Sequence, residues 1–357
     1  MNLLLSCATL LLMIAAAGSC DKPSKSDMWL RIPLPDSAGA TLRDVAACDG
    51  RWLAVGGKDG APAAWRGPSA GASPPGTAAN GASAVKLAFT PLPGSFYGPL
   101  QQIGSVACAT GRVAMLGAVP GGAHGNPRVS TWRLDGDVMR ENAAPFETYG
   151  GDEAVDVNRV EAGRAGFAIA GNRTSGAAAW FSADGKTFML TEKSDTTTVA
   201  RDVVPLPDGR WMVVGGSAIR GSADQEPAAW IATVQPPTDL PAVIWRAADP
   251  PASTGYNELQ RAVRYGDDVI AAGIRGTRFA TWRWHAGTWS AQDPYDEGDP
   301  GGVRSLAAVG SHLVLVGNGL WIDGRRQATP ATPVAVAGTG NVLLMVTADG
   351  LWRATLP

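Results

Sequence analysis

Charge, histidine and tyrosine are all scarce in this chain, and each scarcity excludes something. Only 17% of residues are charged, 30 Lys and Arg against 32 Asp and Glu, for a formal net charge of −2. A nucleic-acid-binding domain normally carries a basic excess that displaces counterions, so nucleic acid is excluded as a partner. The three histidines, His124, His285 and His312, stand far apart, and neither H-E-x-x-H nor a Cys–His zinc spacing occurs. There is no G-x-S-x-G elbow, no P-loop and no dinucleotide fingerprint. The sequence therefore predicts no cofactor and no metal, and no catalytic residue follows from a motif. What abounds is the material of short strands and tight turns, with 45 glycines and 26 prolines in a chain that is 45% hydrophobic.

Long apolar runs are also rare. One spans roughly Leu3 to Ala17 and ends in Ala17-Gly18-Ser19-Cys20. Small residues before a cysteine suit a bacterial lipobox, so residues 1–19 read as a lipoprotein signal peptide and Cys20 as the lipidation site. Residues 20–27 are polar and read as a tether, and 28–357 as one folded domain. Several acyl chains are expected at Cys20, because at roughly 0.8 kcal/mol per buried CH₂ a single chain holds only marginally. The membrane, reached through this anchor from the outer side, is thus an expected partner, and the location is the cell envelope. Of four cysteines, Cys7 falls in the signal, and Cys48 and Cys108 occupy matching places in consecutive repeats. In an exported protein they read either as a disulfide or as two buried thiols. Closing a loop of about 60 residues would contribute roughly 4 kcal/mol in the chain-entropy treatment.

One pattern recurs seven times. A short apolar strand meets a tight polar turn, a second apolar strand follows, and after a variable loop comes a small-small-Trp or Gly-Leu-Trp. The units begin VAACDGRWLAVGG, VACATGRVAMLG, VEAGRAGFAIAG, VVPLPDGRWMVVGG, AVRYGDDVIAAG, LAAVGSHLVLVG and VAVAGTGNVLLMVTADGLW. Their tryptophans are Trp65, Trp132, Trp180, Trp230, Trp282, Trp321 and Trp352, read as packing residues in the wedge between units. A fourth strand follows most units, near Leu87–Leu92, Phe188–Thr191, Val243–Arg246 and Trp289–Ala291. The last unit runs out of chain, whereas an orphan strand, Met28–Leu34, precedes the first. The fold class is therefore all-β: a seven-bladed β-propeller closed by an N-terminal strand that completes the last blade. Gly67–Ser83, rich in Gly, Ala, Ser and Pro, reads as an insertion in the first blade.

In such a ring the connections entering the innermost strand share a face with those between the second and third strands. Here these are the long, variable ones, which marks the binding face. Arg43, Arg159, Arg201, Arg261 and Arg304 recur at the start of innermost strands, at the mouth of the central channel. Tyr97, Tyr149, Tyr256 and Tyr295 lie in the connections that lead there. Two of those connections are acidic, with Glu147, Asp152, Glu153 and Asp156 in one and Asp293, Asp296, Glu297 and Asp299 in the other. The loops between the second and third strands add His124, Arg128, Arg173, Arg220, Arg275 and Arg278 on the same face. Guanidiniums this close repel and need neutralising. Two readings stand: salt bridges between blades with Asp44, Asp202 and the acidic loops, or an anion site in which Arg forks hold a carboxylate, sulfate or phosphate and tyrosines flank it. The acidic stretch at 293–299 lacks a complete calcium-loop spacing and reads as solvated.

Ser182-Ala183-Asp184-Gly185-Lys186-Thr187-Phe188 resembles the Asp-box turn, S-x-D-x-G-x-T-W, of the sialidase-like (BNR) propellers, one residue short and ending in Phe. Enzymes of that group hold a substrate carboxylate with three arginines and use a Tyr nucleophile with a Glu partner and an Asp acid/base. No Tyr–Glu pair is assigned by motif here. Two functions follow as expectations: a non-catalytic envelope protein binding a protein or anionic glycan on its loop-rich face, or a sialidase-like hydrolase or lyase acting on an acidic glycan at the Arg-lined mouth.

Overall fold

A computed structural model of the chain describes residues 28–48, 50–68, 83–109, 111–121, 127–235, 243–298 and 301–357. The segments expected as signal and tether, with Cys20, most of the Gly67–Ser83 stretch, His124 and Asp299 lie outside them. Seven antiparallel sheets form the blades of a propeller. Their innermost strands are Ala40–Cys48, Gln102–Ala109, Ala154–Gly163, Thr198–Pro205, Asn257–Tyr265, Ser305–Val309 and Pro333–Thr339. The turns that follow them are tight. Gly266, Gly310 and Gly340 sit at φ +63°, +58° and +56°, the left-handed region that a two-residue hairpin turn needs and that glycine enters without a Cβ penalty.

The ring closes as the orphan strand requires. Leu30–Ile32 pairs antiparallel with Gly350–Thr355, Arg31 opposite Trp352, and becomes the outer edge of the last blade. Arg31 lays its guanidinium over the Trp352 ring and donates to the Asp349 carbonyl. Trp29 donates to the Ala328 carbonyl, so the same segment also grips the sixth blade.

Seven apolar clusters fill the seven wedges between blades, one cluster to each wedge. Strand alternation divides each blade between two of them. In the third blade, Phe167, Ile169 and Trp180 face the second blade, whereas Ala168, Ala170 and Ala179 face the fourth. Each tryptophan packs toward the preceding blade. Six of the seven are buried at 4% exposure or less, and Trp352 is half-buried. Four indoles also donate outward to the connections of the loop-rich face: Trp65 to the Pro35 carbonyl, Trp180 to Thr148, Trp282 to Pro251, and Trp321 to the Asp296 carboxylate. The tryptophans thus fix those loops as well as the wedges, and Asp296 of the acidic loop has a structural partner.

The outer strand expected near Leu87–Leu92 is divided. Val85–Lys86 pairs with the first blade, and Ala88–Thr90 then runs parallel to Val138–Glu141 as a fifth strand of the second. Leu87 and Phe89 explain the crossing, since both pack in the wedge with Trp132, Phe89 edge-on at 5.2 Å. Cys48 and Cys108 face each other across the first two blades with Cα atoms 5.8 Å apart, within disulfide range.

Candidate functional site

The innermost strands share one irregularity that sorts the arginines. Six of them carry a register shift at the same place, passing over Arg43, Gly104, Asn158, Arg201, Gln260 and Val334. A bulge leaves one residue unpaired and turns the next toward the axis. The five arginines therefore occupy two positions. Arg43 and Arg201 are bulge residues on the rim, and Arg304 precedes the sixth strand at the same level. Arg159 and Arg261 stand one residue later and point inward, in a ring with Asp44, Ser105, Asp202, Ser305 and Ala335.

That ring stitches the blades together. Asp44 accepts the Val106 amide at 2.9 Å, and Asp202 accepts those of Ala262 at 3.0 Å and Val203 at 2.9 Å. Ser105 accepts the Val160 amide at 3.2 Å, and Ser305 that of Val336 at 3.1 Å. Elsewhere amide side chains serve: Asn172 accepts the Ala200 amide and Gln260 that of Val303. Two buried carboxylates then need cations. Arg159 lies 3.6 Å from Asp44 and donates from Nε to Glu161 at 2.9 Å. Burial opposes its charge, but Asp44, Glu161 and Asp202 hold its pKa above the ordinary value. Burial pushes the Glu161 carboxyl up to about 7, against the pull of Arg159. Arg261 donates to the Arg304 and Gln260 carbonyls, and burial lowers its pKa.

Above the ring, Arg43, Arg159, Arg261 and Arg304 line a cavity of about 210 Å³ together with Asp44. Arg201 is turned away from it, its Nε bonded at 2.7 Å to the buried Glu258. Tyr256 hydrogen-bonds the same carboxylate; burial, then the Glu258 charge, push its hydroxyl up to about 12. The structure thus assembles a Tyr256–Glu258–Arg201 corner that no motif marks, because Glu258 and Arg201 come from different blades.

The other tyrosines part company. Tyr149 is 6% exposed, lies in the wedge against Trp180 and bonds Thr131. Tyr295 packs in the wedge with Phe279 and Trp321, where burial raises its pKa. Tyr97 and the buried Tyr149 line a cleft of about 430 Å³ between the connections 91–101 and 142–153, and Tyr256 lines a second of about 420 Å³. Phe96 and Phe146, which also line the first, were not among the candidates read from the sequence. Phe96 is 74% exposed and Phe146 51%, and Arg128 sits between the walls. The available signal was a second aromatic in each of two connections already rich in them.

The sequence matches no family model and no curated protein. Solved propellers do resemble the ring. A structure of YCF48 bound to a D1 peptide covers 92% of this chain and 97% of its own, at 14% identity and a TM-score of 0.55. Virginiamycin B lyase from Staphylococcus aureus covers 92% and 98%, at 12% identity and a TM-score of 0.60. PorZ, a surface component of the type-IX secretion system of Porphyromonas gingivalis, matches 87% of this chain over 46% of its own, at 13% identity and a TM-score of 0.52. At such identities the likeness establishes the propeller fold alone. The Asp-box likeness stays at one turn, where Asp184 accepts the Lys186 amide at 2.8 Å and Ser182 that of Gly185 at 2.9 Å.

Proposed function

We propose that this chain is an exported propeller, lipid-anchored at Cys20, whose loop-rich face binds a protein or glycan partner without catalysing a reaction. The observation that carries this reading is where the arginines go. Arg159, Arg201 and Arg261 are spent on Asp44, Glu161, Glu258 and backbone carbonyls of neighbouring blades, so the ring neutralises its own charge. The exposed aromatic residues meanwhile collect on the connections of the loop-rich face. Aromatic faces there suit sugar rings and apolar side chains alike. A ring of this shape binds a peptide in the YCF48 structure and belongs to an enzyme in virginiamycin B lyase.

The test is chemical cross-linking of the full-length protein in cells, with mass-spectrometric mapping of the joined residues. Links to a partner concentrated in 91–101, 142–153 and 253–256 support the reading. Links concentrated in the opposite turns, 206–210 and 266–267, overturn it. A second reading, a hydrolase or lyase of acidic glycans, draws on the Tyr256–Glu258–Arg201 corner. It expects turnover of sialosides or uronate polymers that Tyr256→Phe abolishes. No turnover by the wild-type protein on either class sinks it.

A further inference from the structure

The cleft between the second and third blades has a composition that singles it out. Phe96 and Phe146 are the only aromatic side chains among the large exposed hydrophobic residues described, and both line it. An exposed apolar pair on opposite walls of a concavity is the usual mark of a surface kept open for a partner. The floor, by contrast, is polar and fully organised. Glu141, only 6% exposed, accepts the Leu92 amide at 2.9 Å and the hydroxyls of Ser95 at 3.2 Å and Ser130 at 2.7 Å. Asn142 bonds Thr131 and the Gly185 carbonyl. These bonds set the spacing of the two walls before any ligand arrives, and that pre-organisation lowers the cost of binding.

Arg128 is the exception on this floor. It opens the third strand of the second blade, and Gln101 pins its backbone carbonyl at 3.0 Å. Its guanidinium lies 4.5 Å from the Phe146 ring centroid and 5.7 Å from that of Tyr97, held in place by two aromatic faces. Stacking of this kind occupies the faces of the guanidinium and leaves the two terminal NH₂ groups at its edge for hydrogen bonding. Among the described residues no carboxylate comes within ion-pair distance of it, and its Nε is buried without a hydrogen-bond partner. The carboxylate that shares the cleft does not answer this need, because the amide and two hydroxyls already bonded to Glu141 direct it to the wall instead.

We infer that this cleft is a peptide-binding site that takes a protein segment carrying an Asp or Glu side chain next to an aromatic or bulky apolar one. The carboxylate pairs with the edge of Arg128, and the neighbouring apolar side chain packs against Phe96 and Phe146. This deepens the proposed function and rests on it, since it names the place on the loop-rich face and the chemistry of the partner. A volume of about 430 Å³ holds two or three side chains rather than a folded surface, so the partner presents an extended segment. The charge selects for the acid, and the paired rings select against a solitary anion such as sulfate, which would leave both walls in water.

The experiment is selection of a random twelve-residue phage-displayed peptide library on the full-length protein in detergent. Enriched peptides are then measured by fluorescence polarisation against the wild type and three variants. Arg128→Gln removes the fork, Phe146→Ala removes one wall, and Phe96→Ala removes the other wall at a side chain whose exposure makes unfolding no explanation. Melting temperatures within a degree or two of wild type qualify each variant. The expected result is an enriched motif of Asp or Glu beside Phe, Trp or Leu. Affinity falls roughly tenfold in Arg128→Gln and in at least one wall variant, and falls comparably when the peptide acid is changed to its amide. Enriched peptides that bind all three variants unchanged overturn the inference. If those same peptides are lost with Arg43→Glu and Arg304→Glu, the site has moved to the mouth and the wider reading of the loop-rich face still stands. No enriched peptide at all overturns the cleft as a peptide site, and the cross-link map then decides the wider reading separately.

Discussion

Glu161 offers a perturbation whose size follows from its surroundings. It stands two residues beyond Arg159 on the third innermost strand, with 28% of its side chain exposed to the channel. The groups around it are Arg159, Asp44 and Asp202. Burial is the largest influence and pushes its carboxyl from the ordinary 4.5 up to about 7; Arg159 opposes this, and Asp202 and Asp44 add to it. Below pH 4.5 the folded and unfolded chains both hold the proton, and the site costs nothing. As pH rises the unfolded chain ionises first, so folding stability falls until pH passes about 7 and then levels off. A shift of about 2.5 units corresponds to about 3 kcal/mol at full burial, and water in the channel reduces this to about 1–2 kcal/mol. Glu161→Gln keeps an acceptor for Arg159 and cannot ionise. Urea unfolding should therefore give equal stabilities for variant and wild type at pH 4.5, and a variant more stable by about 1–2 kcal/mol at pH 8. Carboxylates outside the ring titrate alike in both proteins and cancel in the difference, whereas Asp202 and Asp44, freed of repulsion from the Glu161 charge in the folded variant, shift the difference in the same direction. A variant less stable at pH 8 would refute the reasoning, because the ion pair with Arg159 would then outweigh burial.

Three further outcomes are expected. Peptide mapping under non-reducing conditions should join Cys48 to Cys108, and the double Cys→Ala variant should lose up to about 4 kcal/mol, the loop entropy for a separation of 60 residues; mapping that finds two thiols would contradict this. Trp180→Phe should cost about 1 kcal/mol more in chemical denaturation than Trp132→Phe, since Trp180 loses a bond to the Thr148 carbonyl whereas the Trp132 indole nitrogen has no partner to lose. Cys20→Ala should shift the protein from the membrane fraction to the soluble one on detergent phase partitioning, and an unchanged distribution would count against the anchor.

The blade count and the closure were legible because both rest on local pattern. Tryptophan at a fixed place in each unit reports a wedge, and an unpartnered strand before the first unit has one open edge to join. The arginines were legible as a cluster but not as a structure. A one-residue bulge decides whether an arginine points to the rim or to the axis, and nothing in the spelling of Leu42-Arg43-Asp44 against Asn158-Arg159-Val160 announces it. The crossing of residues 85–90 from one blade to the next is likewise set by the wedge that Leu87 and Phe89 fill. The Tyr256–Glu258–Arg201 corner and the Arg128 cleft each join residues from two different blades or their connections, so no linear spacing marks them. Tyr149 and Tyr295 look like Tyr97 and Tyr256 in sequence and differ in what packs over them, the wedge aromatics Trp180, Phe279 and Trp321.

Arg159 decides whether the inward arginines hold the ring together or hold a ligand. Arg159→Gln leaves Asp44, 1% exposed, without its cation. Removing one partner of a buried pair costs about 3–5 kcal/mol. That loss is the expected result of urea unfolding at pH 7, together with no saturable heat from N-acetylneuraminate, galacturonate or sulfate in calorimetric titration of the wild type. An unchanged unfolding midpoint, with saturable anion binding in the wild type that disappears in the variant, would contradict it.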